Sequence, residues 1–336
     1  MESSTSYFLL RGDGESLARG ELKALLETYM CRGVDIKCYT MLCVVRHSCS
    51  GIEEKVTWRA GFIKEAGLLL GVDNPYNPSA SIDPGLVEGE EIHPSILKKG
   101  VSEGVAGRYV SYFASLHGLK ASSTGRGRLR LIFTDGLVFI GLKGYEQDSK
   151  AMLLRGGSHR PFKRSIALTP DVSRLLINLA RVREGGILLD PFAGTGTILM
   201  EAWSMNIRAV GIEVDWRLAH GMEENLRFYR ANAIPVLGDS TFINVVNVDA
   251  IATDPPYGRG ASTHGQSQLA LYDAFLGKAW DVLRSGSYMS FMTPAWLEDA
   301  VSRLLCRHGF TDIARYYQYV HGGLTRAIYV VRKDEC

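Results

Sequence analysis

The chain has 336 residues, of which 46% are apolar and 22% are charged. This length exceeds what one hydrophobic core usually holds, so we expect two or three domains, and the composition excludes a largely disordered protein. No stretch approaches 18 consecutive apolar residues, and the first 20 residues lack the basic start and long apolar run of a secretory signal. We therefore expect a cytoplasmic protein with no membrane-spanning segment.

The six cysteines include no CxxC pair, and the sequence has no histidine cluster at zinc spacing. This pattern favours buried or surface thiols over a metal site. We therefore expect neither a bound metal nor a disulfide framework.

The net charge of +2 conceals a segregation of charge along the chain. Between Lys98 and Arg164 there are thirteen Lys or Arg against four Asp or Glu, whereas residues 1–97 carry nine against fourteen. A basic block that includes aromatic residues such as Tyr109 and Tyr112 is typical of a surface that binds a phosphate backbone. A solvated basic face without a ligand would carry the same charge, so charge alone leaves both interpretations open.

The first part of the chain predicts several short elements before the breaker-rich segment Asn74–Gly85. They are a strand at 7–12, a helix at 15–30, a strand at 36–46 and a helix-compatible stretch at 58–71. Since Pro, Gly and Asn interrupt regular structure, the breaker-rich segment predicts a joint between two domains.

A compact unit of mixed elements is predicted over residues 86–145. Its helix lies near 104–116, and its strands at 129–135 and 137–144 meet at Asp135-Gly136, a strong hairpin signal. Residues 147–164 are rich in Gly, Ser and basic residues and are interpreted as a linker.

From Ile166 onward, predicted strands and helices alternate, which indicates a parallel sheet covered on both faces. The strands are predicted at 186–190, 209–213, 234–238, 249–253 and 287–292. The end of the chain differs, because ARYYQYV and TRAIYVVR flank a turn at 321–323 and predict an antiparallel hairpin at the sheet edge.

The first of these strands runs into the motif LLDPFAGTGTILMEA. Asp190 ends the buried run, while Gly194 and Gly196 permit a tight turn and a close approach of the backbone to a ligand. Thr195 or Thr197 can cap the helix that follows. The motif lacks both GK[ST] and the GxGxxG spacing, so a bound pyrophosphate is not favoured.

The next two strands also end in acids. Glu213 can accept hydrogen bonds from two ribose hydroxyls, with Asp215 as a secondary candidate, and Asp239 can accept from an exocyclic adenine amine. Each acid alone is more often a helix cap or a loop residue. Three acids at the carboxyl ends of successive strands, however, indicate a ligand site, because ligands of open α/β sheets bind at that edge.

The fourth strand ends in DPPY, residues 254–257. The exocyclic amine of a nucleobase is a poor nucleophile because its lone pair is delocalised into the ring. The side chain of Asp254 and the backbone carbonyl of Pro255 can accept both N–H hydrogens and direct the lone pair outward, while Pro255 and Pro256 stiffen the backbone. Tyr257 offers a face on which the base can stack. Alternatively, DPPY is only a sharp turn with a buried tyrosine.

These motifs carry a family resemblance. DPFAGTG, GIEVD, LGDS and DPPY resemble the successive motifs of class I S-adenosylmethionine-dependent amino-methyltransferases, over essentially residues 160–336. HRPFKRSIALTPDVSRLLINLAR, DPFAGTGTILMEA and TDPPYGR narrow the resemblance to the tRNA guanosine-10 N2-methyltransferases of archaea and eukaryotes. The sequence departs from that pattern at Ala193 and Thr197, where Cys and Gly are expected, but neither position supplies a catalytic group.

The resemblance implies a Rossmann-like class I methyltransferase sheet, mostly parallel with an antiparallel C-terminal hairpin, preceded by α+β ferredoxin-like and THUMP domains. The implied boundaries are 1–75 for the ferredoxin-like domain, 76–146 for the THUMP RNA-binding domain, 147–164 for the linker and 165–336 for the methyltransferase domain. The implied partners are tRNA and a small zinc-binding activator subunit.

The resemblance also assigns roles to residues. The methionine end of S-adenosylmethionine would lie near Thr169, Asp190, Ala193 and Gly194, the ribose at Glu213, the adenine at Asp239 and the target amine at Asp254, Pro255 and Tyr257. The transfer would be direct, from the sulfonium methyl to the amine.

Several other functions are compatible with parts of this pattern. The same chemistry could act on guanine N2 or adenine N6 at another RNA site, or on a glutamine side chain, although glutamine methylation usually has Asn before PPY. A non-catalytic RNA-binding homologue is a further alternative, which the intact acid series opposes. A nicotinamide oxidoreductase fits worst, since DPPY has no role in hydride transfer.

Overall fold

The structure is a computed structural model and describes residues 3–97, 100–122, 127–164, 167–242, 247–257 and 268–334. Three cations of the predicted basic block, Lys98, Lys99 and Arg126, lie outside the described residues. The chain divides into two compact units, of which the first comprises Met1–Leu22 and Tyr29–Gln147 and the second Lys23–Thr28 and Asp148–Cys336.

The elements of the N-terminal half form one mixed sheet with helices. In chain order they are β1 (Ser4–Leu10), α1 (Glu15–Thr28), β2 (Asp35–Tyr39), β3 (Leu42–His47), α2 (Ile52–Arg59), β4 (Ile63–Asp73), β5 (Glu91–Ile96), α3 (Glu103–His117), β6 (Lys120–Ala121), β7 (Leu129–Thr134) and β8 (Leu137–Glu146). The eight strands are ordered β2-β3-β1-β4-β8-β7-β5-β6, so one sheet runs through the whole first unit. The division of this half into a ferredoxin-like and a THUMP domain stays a prediction.

The helix-compatible stretch at 58–71 was predicted wrongly, because α2 ends at Arg59 and β4 follows. Residues such as Leu and Glu favour a helix locally, but β4 pairs with β1 on one side and β8 on the other, and these tertiary pairings override the local preference. Gly67 shows how closely the strands approach, since a Cβ there would lie 2.1 Å from the carbonyl oxygen of Leu142.

Other predictions for this half are confirmed, with one refinement. The helix α3 and the β7–β8 hairpin form where predicted, and the turn has Asp135 and Gly136 at φ 50° and 77°. The single strand predicted at 36–46 is a hairpin of β2 and β3 that turns at Met41, which has a φ of 59°.

The cysteine prediction was wrong for four residues. Disulfide bonds join Cys31 to Cys49 and Cys38 to Cys43, and the second of these pairs lies across β2 and β3. Cys306 is a free, exposed thiol.

The C-terminal half alternates helices and strands as predicted. In chain order they are α4 (Ser149–Leu154), α5 (Pro170–Leu179), β9 (Ile187–Asp190), α6 (Thr197–Ser204), β10 (Arg208–Glu213), α7 (Trp216–Tyr229), β11 (Ile234–Leu237), β12 (Val248–Thr253), α8 (Gln268–Val282), β13 (Leu283–Pro294), α9 (Glu298–Arg307), β14 (Phe310–His321) and β15 (Leu324–Lys333). The first element, α4, lies inside the segment that was interpreted as a linker.

The seven strands of the second unit are ordered β11-β10-β9-β12-β13-β15-β14. The first five are parallel, and β15 is antiparallel to both β13 and β14, so the predicted terminal hairpin is confirmed. A core of apolar residues from the central strands, α8 and α9 packs on one face of this sheet; it includes Ile251, Phe275, Phe291, Leu305 and Tyr329. Because the parallel strands share one carboxyl edge, the residues that follow them come together there.

Candidate active site

Three acids meet at the carboxyl edge of the parallel strands. Asp190 ends β9, Glu213 ends β10, and Asp254 directly follows β12. Because β9 lies between β10 and β12, Asp190 is the central acid, and the negative charges of the other two contribute to raising its pKa. Asp190 and Glu213 therefore lie at one edge as predicted, and Asp254 lies beside them, whereas Asp239, the third acid of the predicted series, is exposed two residues beyond β11.

The turn after β9 contains two glycines in the left-handed region. Gly194 has a φ of 53° and Gly196 a φ of 84°, which is costly for other residues. A Cβ at Gly196 would lie 2.9 Å from Cγ of Met222, whereas a Cβ at Gly194 would meet no described heavy atom within 4 Å. Gly194 therefore borders open space that a ligand can occupy, while Ala193 and Thr195 beside it are buried.

Glu213 holds this turn in place. Its Oε2 accepts from the backbone N–H of Gly194 at 2.9 Å, and its Oε1 accepts from the backbone N–H of Asp215 at 2.9 Å. Burial raises the pKa of Glu213, and these backbone donors oppose the rise by stabilising the carboxylate. Each oxygen retains lone-pair capacity for a further donor, as ribose hydroxyl recognition requires.

Asp190 is buried beneath the same turn. Its Oδ1 accepts from Thr253 Oγ1 at 2.7 Å and from the backbone N–H of Phe192 at 3.2 Å. Burial raises the pKa of Asp190 to about 7, and the two hydrogen bonds limit the rise. Asp190 can therefore change its charge near neutral pH.

A buried arginine that the sequence analysis did not single out braces the start of α6. Arg160 donates from Nη1 to Thr197 Oγ1 at 2.7 Å and from Nε to the carbonyl oxygen of Arg155 at 2.8 Å. Its side chain is 1% exposed, and burial lowers its pKa to about 10. Thr197, predicted as a cap, instead accepts this arginine.

Asn225 on α7 provides a second brace. Its Oδ1 accepts from the backbone N–H of Phe162, and its Nδ2 donates to the carbonyl oxygens of Phe162 and Thr195 at 3.1 Å each. The Phe162 ring lies against Gly221, where a Cβ would be 2.2 Å from Cδ1 of the ring. These contacts attach the segment before α5 to the glycine turn and α7.

Three further predicted residues use their side chains locally or face solvent. Asp239, two residues after β11, is exposed and accepts from the backbone N–H and Oγ1 of Thr241 at 2.8 and 2.7 Å. Asp215 caps α7 by accepting from the backbone N–H of Arg217 at 2.8 Å. Thr169 is an exposed N-cap residue of α5 and makes no side-chain capping bond. Their roles toward a ligand stay predictions.

The four residues of DPPY follow β12 directly. Pro255 is buried, and Asp254, Pro256 and Tyr257 are partly buried. The Tyr257 hydroxyl donates to Asp254 Oδ1, and Nη2 of Arg326 lies 3.8 Å from Asp254 Oδ2. Burial raises the pKa of Asp254, while Arg326 and Tyr257 oppose the rise. Sequence reasoning missed Arg326 because it lies on β15, far along the chain.

Within the described ranges, no three His, Cys, Asp or Glu residues are grouped so that they could hold a metal ion. None of the helices that the structure describes has both the length and the apolar character needed to cross a membrane.

The second unit matches a known family. The family UPF0020, RMKL-like methyltransferase domain, matches residues 158–328, just over half of the chain. The tRNA (guanine(10)-N2)-dimethyltransferase of Methanothermobacter thermautotrophicus is 38% identical over 176 residues, which are 52% of this chain and 52% of that protein. The tRNA (guanine(10)-N2)-dimethyltransferase of Pyrococcus abyssi is 29% identical over 338 residues, covering 97% of this chain and 98% of that protein.

Solved structures agree on the fold. TrmN from Thermus thermophilus superimposes with a TM-score of 0.56 at 21% identity and covers 98% of this chain and 99% of its own. SMU.472 in complex with S-adenosylhomocysteine gives a TM-score of 0.53 at 10% identity, with both chains covered completely. At these identities the likeness concerns the fold, which has the strand order described above. The acids, the glycine turn and the family match lead to one conclusion: the chain belongs to the RMKL-like methyltransferase domain family.

Proposed function

We propose that this chain transfers a methyl group from S-adenosylmethionine to the exocyclic N2 amine of guanosine-10 in tRNA. The observation that carries the proposal is the position of Asp254, Pro255 and Tyr257 directly after β12, beside the strand that leads into the glycine turn. In this arrangement, the residues proposed to bind the amine lie next to the glycine turn, which is proposed to hold the nucleoside part of the cofactor. The Pyrococcus abyssi relative, which is named for guanine-10 N2 methylation, aligns with 97% of this chain.

The residues of the glycine turn fit S-adenosylmethionine. The open space at Gly194 lets a ligand lie against the backbone, where a side chain would exclude it. Glu213 is held by two backbone N–H groups with its oxygens near that space, which suits the ribose hydroxyls. Buried Asp190 suits the positively charged end of the cofactor once it is ionised. We assign the adenine amine to Asp239 and the methionine end to the neighbourhood of Thr169 and Ala193.

The bound cofactor supplies a methyl group on a sulfonium sulfur, which leaves as a neutral thioether. The chain's own residues prepare the acceptor. Asp254 Oδ1 and the carbonyl of Pro255 accept the two N–H hydrogens, so the nitrogen lone pair points away from them and toward the methyl carbon. Tyr257 stacks on the base. After the N–C bond forms, the nitrogen loses one proton, which the Asp254 carboxylate can take. Positioning and exclusion of water provide the remaining acceleration.

We also propose that the first unit binds the tRNA, with a ferredoxin-like domain over 1–75 and a THUMP domain over 76–146, ahead of the linker at 147–164 and the methyltransferase domain at 165–336. The described cations of the basic block do not all support this role equally. Arg130 is buried and paired with Glu65, whereas Arg108 and Lys120 are exposed. Charge reversal at Arg108 and Lys120 should therefore raise the KM for tRNA and reduce its salt dependence, whereas Arg130 is expected to serve stability.

A small zinc-binding activator subunit is proposed to dock on β11. This strand is the edge of the seven-stranded sheet, and Ile234 and Leu237 on it are 59% and 61% exposed. An apolar edge strand offers both backbone pairing and apolar contact to a partner. Leu237→Glu should prevent co-purification with such a subunit, whereas Leu153→Glu, at a similarly exposed position, should not.

We place the reaction in the cytoplasm, where tRNA is processed.

The first experiment is nucleoside mass spectrometry of unmodified tRNA transcripts after incubation with labelled S-adenosylmethionine. We expect label in N2-methylated guanosine that disappears when guanosine-10 is replaced. Label in N6-methyladenosine, or label that survives the replacement, would contradict the proposed target. Asp254→Ala should abolish most turnover with cofactor affinity unchanged, and Asp254→Asn, which keeps one acceptor oxygen, should retain part of it. Equal activity of Asp254→Ala and the unsubstituted protein would contradict the mechanism.

A further inference from the structure

Arg326 reaches the proposed amine site from a strand that the motifs do not include. Because β15 is antiparallel to β13, its N-terminal end lies at the carboxyl edge of the parallel strands, and Arg326 pairs there with Pro294. The side chain is 15% exposed, and its Nη2 lies 3.8 Å from Asp254 Oδ2. Its guanidinium carbon lies 5.6 Å from the centroid of the Tyr257 ring. One cation therefore contacts both residues that the mechanism needs.

The other hydrogen-bonding groups of Arg326 are not fully used. Nη1 donates to Gln318 Oε1 at 3.4 Å, and the buried Nε has no acceptor within the part of the chain that the structure describes. An unpaired buried donor is costly, and a buried cation is retained only where an opposite charge compensates it. Asp254 is the carboxylate that provides this compensation. Stability alone therefore gives little reason for an arginine at this position.

The two oxygens of Asp254 have different partners. Oδ1 accepts from the Tyr257 hydroxyl, and Oδ2 faces Arg326. An incoming amine needs one of these oxygens as its acceptor. It can replace the Tyr257 hydroxyl on Oδ1 as one donor replaces another, whereas Oδ2 stays under the attraction of the Arg326 charge.

We infer that Arg326 is a positioning residue for methyl transfer: it holds Oδ2 of Asp254, so that the target amine displaces the Tyr257 hydroxyl and binds to Oδ1. This inference rests on the proposed function, because it assigns a role within the same amine site. In this inference, Oδ2 of Asp254 faces Arg326 and Oδ1 accepts from the amine. The orientation of the carboxylate is therefore fixed before the substrate binds.

Arg326 also favours the ionised form of Asp254. Among the described residues, the titratable groups that face Asp254 are Arg326 on β15, Tyr257 in its own turn, Asp190 on β9 and Tyr272 on α8. Arg326 is the cation among these groups, and its charge lowers the pKa of a carboxyl group that burial raises. Protonation would convert one acceptor oxygen of Asp254 into a donor and misalign the amine. The acidic limb of the rate profile should therefore depend on Arg326.

The test compares Arg326→Gln and Arg326→Lys in the full chain, with kcat and the KM for tRNA measured from pH 5.5 to 9. For Arg326→Gln we expect kcat at pH 7 to fall by about tenfold or more. The acidic limb should move to higher pH, because loss of the neighbouring cation lets burial raise the pKa of the Asp254 carboxyl further. The KM for tRNA should stay within about twofold, since uniform binding is unaffected. Arg326→Lys keeps the charge, so its acidic limb should stay near that of the unsubstituted protein while kcat falls less.

The matched control is Arg332→Gln on the same strand, because Arg332 pairs with Asp334 near the surface. This variant should behave like the unsubstituted protein. Affinity for S-adenosylhomocysteine and the melting temperature establish that each variant is folded. An unmoved acidic limb in a folded Arg326→Gln protein would overturn the inference, and so would a raised KM with unchanged kcat, which would make Arg326 an RNA contact. Mass spectrometry of the product of the unsubstituted protein tests the proposed function separately, because the comparison of variants holds for whichever amine is methylated.

Discussion

Thr253 donates from Oγ1 to Asp190 Oδ1 at 2.7 Å and so joins the ends of β12 and β9. The residue that precedes the amine-binding turn is thereby tied to the acid that precedes the cofactor turn. Both residues are buried, so the bond is shielded from water and relates the two halves of the site to each other. This hydrogen bond fixes the distance between the two strand ends.

The buried Asp190 predicts that stability falls as the pH rises. Its folded pKa of about 7 lies above its ordinary value of 3.8, so its stabilising contribution is fully present below the ordinary value and is lost as the pH rises through about 7. Between pH 4.5 and 8 the ligand-free protein should lose roughly 3 kcal/mol more unfolding free energy than Asp190→Asn. Urea unfolding at both pH values checks this. Parallel pH profiles for the two proteins would show that Asp190 stays ionised throughout.

The same acid predicts that cofactor affinity depends on pH. Ionised Asp190 attracts the positive sulfonium of S-adenosylmethionine, whereas S-adenosylhomocysteine lacks that charge. From pH 6 to 8 the affinity for the sulfonium compound should rise by about tenfold relative to that for the thioether, as one pKa unit of interaction implies. Isothermal titration calorimetry with both compounds provides the measurement. The difference should vanish in Asp190→Asn, and its persistence there would assign the effect to another group.

Gly194 and Gly185 form a matched pair for testing the cofactor cradle. Both have positive φ, 53° and 78°, and a Cβ at either would meet no described heavy atom within 4 Å. Substitution by Ala should therefore cost each about 1 kcal/mol of stability through backbone strain. Only Gly194→Ala should weaken the binding of S-adenosylhomocysteine, by at least about tenfold, because its methyl group would occupy the ligand space. Equal affinities of the two variants would place the cofactor elsewhere.

Thr197→Val tests the brace at the start of α6. The substitution keeps the shape but leaves Nη1 of buried Arg160 without its acceptor, which should cost about 1–3 kcal/mol of unfolding free energy. Cofactor affinity should fall as well, because the glycine turn immediately precedes Thr197. Thr311→Val is the control, since the Thr311 hydroxyl donates to Asp334 at an exposed position away from the proposed site. If the two variants are destabilised equally, Arg160 has another acceptor.

The sequence predicted the acids of the site because their placement follows from a general rule. Once β9, β10 and β12 are recognised as parallel strands, Asp190, Glu213 and Asp254 must lie at one edge. The tight turn at Gly194 and Gly196 could likewise be predicted, because glycine adopts a positive φ more easily than other residues.

What could not be predicted depends on partners distant in the chain. Arg326 belongs to none of the quoted motifs, and Arg160 lies in one that assigns it no role. Their roles appear only when β15 meets β12 and the segment before α5 meets α6. The prediction of a helix where β4 forms was wrong for the same reason, since the neighbouring strands β1 and β8 determine the conformation of β4. Local propensity does not contain this information.

The segment before α5 limits where recombination can separate this methyltransferase domain from the rest of a gene. Buried Glu201 on α6 accepts from Arg155 and Arg174 at 2.7 Å each, and Arg160 holds Thr197. A gene rearrangement that cut the chain after residue 164 would carry the glycine turn, the acids and DPPY into a new protein but leave Arg155 and Arg160 behind. The smallest piece that recombination can move intact therefore begins near Asp148. Fusions to other RNA-binding modules should retain this arginine-bearing segment as part of the enzyme.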